Sequence, residues 1–186
     1  MDKKYEDWFE GFKTIVSEQI GPHIYDSLMD GCNKCKFITI DHEMASCVKE
    51  LMERFDTVVE EKKQKKKVME TMGYYCFQNH FLKRALQVKD QSKGIEEIIK
   101  NLNKVIGDEE YFKLEDNKIK AKFNHCYCHI GVQETKEPIP KTYCYCSLGW
   151  LKELFKVLLE KDVEVEMLET IVSGGKACQF IIDLNY

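Results

Sequence analysis

Apolar residues recur every three or four positions through most of residues 1–106, which is the pattern of amphipathic helices. The first apolar stripe runs from Tyr5 to Ile20, and Gly21-Pro22 ends it because proline cannot continue a helix. A second stripe follows Asp41, a residue type that often caps helix N-termini. The pattern predicts four helices in this part of the chain, over residues 5–20, 41–59, 69–86 (bent near Gly73) and 95–106.

After Gly107 the helical period gives way to the alternation that is typical of strands. Ile119, Ala121 and Phe123 alternate with lysines, so this strand should have one solvent-exposed face. The turn residues 115–117 before it predict a hairpin. The predicted order is β-β-(β)-α-β-β, with strands at 111–114, 119–123, 142–146, 163–167 and 178–184 and a helix capped by Ser147.

Together these elements predict an α+β fold in which N-terminal helices pack on an antiparallel sheet. A chain of 186 residues fits one domain. We expect a single domain over residues 1–186, with a helical part at 1–106 and a ligand- and metal-binding part at 107–186.

Composition and charge narrow the setting in which the protein works. The net charge of -4 gives no reason to expect a nucleic-acid partner, and we interpret the charged run Glu60–Lys67 as an exposed helical turn or loop. No apolar run approaches the length of a membrane span, and the N-terminus lacks the apolar core of a signal peptide. The sequence therefore predicts a cytoplasmic protein, a setting in which structural disulfides are rare.

Nine cysteines are many for such a chain, and their odd number excludes complete pairing. Two Cys-x-Cys pairs with 15 residues between them are the most informative group. In an extended strand, residues i and i+2 point to one face, so each pair would present two sulfurs side by side. Four convergent thiolates suit Zn²⁺ or, alternatively, an iron–sulfur cluster. The predicted metal ligands are Cys126, Cys128, Cys144 and Cys146.

The second pair stands just before a predicted helix, and this position favours thiolate because a helix N-terminus lowers thiol pKa values. A thiolate would also suit an enzyme that uses Cys144 or Cys146 as nucleophile or redox thiol, with His125 or His129 as proton carrier. The simpler interpretation is that these cysteines are small buried packing residues. The sequence leaves all three interpretations open.

Other residues extend the candidate site. Cys32 and Cys35 form a Cys-x-x-Cys in a turn, and Cys76 and His80 share one face of a predicted helix. We treat them, with His125 and His129, as possible additional metal or redox residues. Four aromatic residues are candidates for a ligand pocket or for plain core packing: Tyr127, Tyr143, Tyr145 and Trp150.

Three stretches of the last third carry a resemblance: Cys144–Leu151, Val163–Val165 and Gly174–Phe180. They are similar to the C-terminal half of the vinyl-reductase-type (4-vinyl reductase) small-molecule-binding domain, in which a helix starts near a cysteine and two strands follow. The match lies mainly in residues 126–184, and the chain looks like a cysteine-rich bacterial relative.

The resemblance implies an α+β fold related to vesicle-tethering-complex subunits and to haem-based nitric-oxide sensor domains. It also implies an interior cavity for a hydrophobic or cofactor-like ligand, and a homodimer. We therefore expect a metal-binding, small-molecule-binding or sensor-type domain. A thiol-dependent enzyme and a dimeric partner-binding subunit are the alternatives.

Overall fold

The structure is a computed structural model that describes residues 2–30, 35, 38–107 and 110–185. Within these ranges the chain forms helices followed by a sheet with one inserted helix, which confirms the predicted α+β class. The helices are α1 Lys3–Gln19, α2 Pro22–Met29, α3 Asp41–Val58, α4 Lys62–His80, α5 Leu82–Asp90, α6 Ile95–Ile106 and α7 Tyr145–Leu159. The strands are β1 Phe112–Glu115, β2 Lys118–Phe123, β3 Glu164–Glu169 and β4 Cys178–Asp183. None of the helices in the described ranges is long and apolar enough to cross a membrane.

The sheet is antiparallel throughout, with the strand order β1-β2-β4-β3. The predicted hairpin between β1 and β2 is confirmed, since Asp116 and Asn117 adopt the left-handed backbone conformation that a tight hairpin turn requires. The register pairs Ile119 with Ile182 and Ala121 with Phe180, and all four side chains are buried. The alternation in the sequence therefore assigns the inner face of this sheet correctly.

Two helix predictions need correction. Helix α4 continues through Gly73, and the break comes at Phe81 instead. The charged run Glu60–Lys67 was interpreted as an exposed helical turn or loop, and from Lys62 onwards it forms the first turns of α4, so the helical alternative is confirmed. Asp41 is the first residue of α3 and not its cap, because its carboxylate accepts hydrogen bonds from Lys4 Nζ, at 2.7 Å, and from the Tyr5 hydroxyl.

The strand predicted at residues 142–146 is absent. A 3₁₀ turn over Lys141–Cys144 leads directly into α7, which begins at Tyr145, so Ser147 lies inside the helix. The Thr142 hydroxyl donates a hydrogen bond to Asp56 Oδ1 at 2.7 Å and fixes this turn against α3. Since β2 also ends at Phe123, neither Cys-x-Cys pair lies in a strand.

Two apolar cores meet at α4 and α7. The first is built mainly from α1, α3 and the start of α4, and the second from α5, α6, α7 and the sheet. Where α4 and α7 cross, a Cβ on Gly73 would lie 1.8 Å from the Cys146 carbonyl oxygen, and a Cβ on Gly149 would lie 1.8 Å from the Glu70 carbonyl oxygen. The two backbones therefore touch, and this contact holds Cys76 and Cys146 beside each other at the junction of the cores.

Asn103 connects α6 to strand β1 through two hydrogen bonds, and replacing it should lower the free energy of unfolding. The buried side chain donates to the Phe112 carbonyl and accepts from the Phe112 amide, both at 2.9 Å. We expect Asn103→Ala to lower the free energy of unfolding by about 3 kcal/mol, because both backbone groups lose their partner. Asn101→Ala removes a half-buried amide from the same helix and should cost below about 1 kcal/mol. Equal losses in urea unfolding of the two variants would contradict this role.

Candidate functional site

A cavity of about 380 Å³ opens to solvent at the junction of the two cores. Every cysteine that is free in the described part of the chain lines it. They come from separate elements, since α4, the 124–131 loop, the start of α7 and β4 all contribute. The six are Cys76, Cys126, Cys128, Cys144, Cys146 and Cys178.

The cavity has an aromatic interior and a polar mouth. The interior aromatic side chains are Phe81, Phe123, Tyr143, Trp150 and Phe180. The exposed lining residues, which form the mouth, are His80, Arg84, Val105, His125, Tyr127 and His129. Three of the four aromatic candidates from the sequence thus line the cavity, whereas Tyr145 packs against both cores. A role for these aromatic residues in ligand binding stays a prediction.

The structure brings the two Cys-x-Cys pairs together, but not as a metal site. All four thiols affect one another electrostatically, and Cys128 Sγ lies 2.8 Å from the Tyr143 hydroxyl. Yet no group of three or more His, Cys, Asp or Glu residues in the described ranges is arranged to hold a metal ion. The predicted zinc is therefore wrong, and so is the alternative prediction of an iron–sulfur cluster.

The reason lies in the local conformation at the second pair. Cys144 ends a 3₁₀ turn and Cys146 lies in the first turn of α7. Around a helix axis, residues i and i+2 point about 200° apart, whereas in a strand they point the same way. Cys144 is accordingly buried, while Cys146 keeps part of its surface towards the cavity.

Burial governs the protonation of the thiols. The pKa of Cys76 and of Cys144 is raised to about 12, mainly by burial, and nearby thiols contribute to this rise. The pKa of Cys146 is raised well above its usual value for the same reasons, so desolvation outweighs the helix N-terminus that was expected to favour thiolate. The cavity thiols are therefore protonated at neutral pH, and a nucleophilic thiolate at Cys144 or Cys146 lacks support.

The histidines at the mouth differ from the thiols in chemistry and position. The His80 and His129 rings pack with their centroids 4.4 Å apart, and the His125 and Tyr127 rings with theirs 4.0 Å apart. Although part of the side chain is exposed, neighbouring groups desolvate the His129 ring, and this desolvation, followed by the charge of His80, lowers the pKa of His129 to about 4. His129 is thus a neutral imidazole at neutral pH, available to accept a hydrogen bond or to donate one.

Two of the remaining cysteines form a disulfide and do not line the cavity. Cys35 and Cys47 are joined, with their Cα atoms 5.9 Å apart, and both are buried. Cys35 is therefore not available to a Cys-x-x-Cys pair, and Cys32 lies outside the described residues. A disulfide is more typical of oxidising compartments than of the cytoplasm, so the predicted cytoplasmic localisation stays a prediction.

Sequence reasoning missed several contributors to the cavity, among them Cys178 and Arg84. Cys178 has the pattern of a core residue, although its alternation with Phe180 and Ile182 on β4 already placed it on the inner face. Arg84 carried no signal at all, because a lysine- and arginine-bearing helix such as α5 is ordinarily a solvated face.

The class of fold is given by solved structures that resemble the chain. It is similar to an H-NOX protein from Shewanella oneidensis in the Fe(II) ligation state, with a TM-score of 0.51 and 14% identity over 95% of this chain and 94% of the other. A second H-NOX structure from the same organism, in the Fe(II)CO state, has a TM-score of 0.49 and 16% identity over 96% and 97%. The chain thus has an H-NOX-like α+β fold.

By sequence, the chain belongs to DUF6144, a family of unknown function whose model matches residues 26–185. No curated protein matches the sequence. The resemblance to the vinyl-reductase-type domain is therefore wrong as a family assignment, since the matching family and the similar folds both lie elsewhere. The three short stretches that carry the resemblance match the order of a helix and two strands, but they do not show membership of that family.

Proposed function

We propose that this protein is a small-molecule-binding domain of the sensor type whose ligand occupies the thiol-lined cavity. The observation that carries the proposal is an open space of about 380 Å³ between two well-packed cores. Protein interiors have few voids larger than a water molecule. Sites for small organic ligands typically measure about 300–1,000 Å³. The H-NOX-like fold supports the same class of function by analogy.

The lining indicates a small and largely apolar ligand. Arg84 is the one lysine, arginine, aspartate or glutamate among the described lining residues, and it lies at the mouth. The walls come from both cores, so a bound ligand would contact α4, α7 and the sheet at once. A ligand that prefers one arrangement of these elements would shift the population towards it, which is the basis of a sensor.

Haem requires a separate test, because the similar H-NOX structures are described by their iron ligation state. Protein side chains hold haem iron through imidazole, thiolate, thioether or phenolate groups. Here the imidazoles lie at the mouth, and burial keeps the interior thiols and the Tyr143 phenol protonated by raising their pKa values. No methionine is among the described lining residues, and Arg84 alone offers a cation to the carboxylates of a haem. The residues present do not fit haem.

Three further expectations stay predictions. A homodimer rests on the sequence resemblance alone. So does the partner-binding alternative, which fold analogy cannot establish. The absence of a nucleic-acid partner also stays a prediction.

Blocking the mouth tests the proposal. We expect the apolar dye anilinonaphthalene sulfonate to fluoresce with the folded protein, and Val105→Trp to weaken that binding by about tenfold or more. Val105 lines the cavity and is 41% exposed, so a larger ring there closes the mouth without disturbing a core. Val58→Trp is the matched control, because Val58 is 39% exposed at the end of α3 and does not line the cavity. Equal dye binding by both variants would overturn the proposal, and added haem should leave its free absorption spectrum unchanged.

A further inference from the structure

The six cavity thiols are all protonated at neutral pH. This property restricts the chemical class of the ligand more than the size of the cavity does. A metal ion binds thiolates, so it must first remove protons from the thiols and then leave charge in an apolar space. Neutral thiols instead suit a ligand whose own leaving groups take up the thiol protons, so that the bound complex is uncharged. Trivalent arsenic bearing one organic group and two hydroxyls is such a partner.

We propose that the cavity takes trivalent organoarsenicals, R–As(OH)₂, which Cys128 and Cys146 capture as a dithiol while the aromatic wall holds the organic group. The inference rests on the proposed function, because it requires a ligand inside this cavity. In the reaction two As–O bonds and two S–H bonds break, and two As–S bonds form. Each thiol proton leaves with a hydroxyl as water, so the product is uncharged and neither arsenic nor sulfur changes oxidation state.

Cys128 is a shared neighbour of three other cavity thiols. Among the cysteines, it is the strongest electrostatic neighbour of Cys76, of Cys126 and of Cys146. All four are only partly buried and line the cavity, whereas Cys144 and Cys178 are buried. A dithiol reached from the mouth therefore includes Cys128.

Cys146 is the second thiol because of what stands beside it on α7. Trp150 follows Cys146 by four residues, so the two side chains share a helix face, and both line the cavity. The Trp150 ring packs on Phe81 with the ring centroids 5.0 Å apart. An arsenic atom bound to Cys128 and Cys146 thus places its organic substituent against this aromatic pair. The close approach of Gly73 to the Cys146 backbone fixes the main chain that carries the second sulfur.

The probe for the test is phenylarsine oxide, which hydrates to the dihydroxy form in water. We expect one phenylarsine per protein in intact-mass measurements, released by excess ethanedithiol. Phenyl should bind about tenfold or more tightly than methyl, since the ring buries additional apolar surface. Trp150→Ala should bring the ratio of phenyl to methyl affinity close to one, because the ring that contacts the phenyl group is lost.

Cysteine variants locate the dithiol. Cys128→Ser and Cys146→Ser should each weaken phenylarsine binding by about a hundredfold, because one remaining thiol loses the gain from two linked bonds. Serine at position 128 keeps a hydroxyl partner for Tyr143, so the fold should persist, as circular dichroism would show. Cys178→Ser removes a cavity thiol that is not part of the assigned dithiol, so it should retain the one-to-one adduct and weaken binding by less than about tenfold.

The outcomes separate the two proposals. Dye binding that depends on Val105, together with no phenylarsine adduct, would overturn the arsenical inference and leave the small-molecule site standing. An adduct that persists in both Cys128→Ser and Cys146→Ser would overturn the assigned dithiol. Failure of both the dye and the arsenical to bind the folded protein would overturn both proposals.

Discussion

Raising the pH above about 9 is expected to lower the free energy of unfolding by about 2.7 kcal/mol per pH unit from Cys76 and Cys144 alone. In the unfolded chain these thiols lose their protons near pH 9, whereas burial in the folded protein raises each pKa to about 12. Between these values the unfolded state binds fewer protons than the folded state, so stability falls as pH rises. Below pH 9 both states hold these protons, and the two thiols add no pH dependence.

Urea unfolding at several pH values from about 8 to about 11 measures this slope. The double variant Cys76→Ser with Cys144→Ser should lose about 2.7 kcal/mol per pH unit of it. Lysines whose pKa is raised by carboxylate partners, such as Lys4 with Asp41, lose stabilisation at high pH in both proteins. The difference between the two proteins therefore isolates the thiols. An identical slope in both would show that these cysteines are solvated in the folded state.

Gly149→Ala is expected to lower the free energy of unfolding by about 3 kcal/mol or more. The added methyl carbon would lie 1.8 Å from the Glu70 carbonyl oxygen, and backbone of two helices cannot move aside as a flexible side chain would. Helices α4 and α7 must separate, which opens contacts in both cores. We expect the cavity to lose dye binding as well, because Cys76 and Cys146 would be pulled apart.

The control for this variant is Gly94→Ala. Gly94 precedes α6 with an extended backbone, and a Cβ there meets nothing within 4 Å. Its unfolding free energy should change by less than about 1 kcal/mol. Gly73→Ala combined with Gly149→Ala should cost less than the sum of the single variants, because either one already separates the same helices. Additive losses would mean that the two glycines relieve independent clashes.

The sequence predicts elements well where one face is wet and the other buried. Helix α6 and strand β2 show such strong periodicity that their faces are assigned correctly. Helix α2 escapes prediction because it has eight residues and Pro22 resembles a stop signal, although proline is also well suited to a first helical turn. Gly73 suggests a bend because glycine disfavours helices. The sequence does not show that the backbone of α7 occupies the space that a side chain at position 73 would need.

The candidate site was also predicted only in part from the sequence. The sequence identifies Cys126, Cys128, Cys144 and Cys146 as residues that belong together, and the structure places their thiols in one cavity. It could not supply the direction of each sulfur, because a strand assumed at residues 142–146 is a 3₁₀ turn and the start of a helix. It also could not supply burial, which reverses the expected effect of the α7 N-terminus on the thiol pKa values.

The distribution of the cysteines allows access to the cavity to be measured from the reactivity of the protein's own thiols. The disulfide removes Cys35 and Cys47 from thiol chemistry, and every free thiol in the described ranges faces one cavity. The rate at which a chromogenic thiol reagent labels the native chain therefore follows how often that space is open, against a reference in which Cys32 is replaced by serine. Any compound that fills the cavity should slow the labelling, so candidate ligands of any chemical structure can be ranked without a dye or a tag.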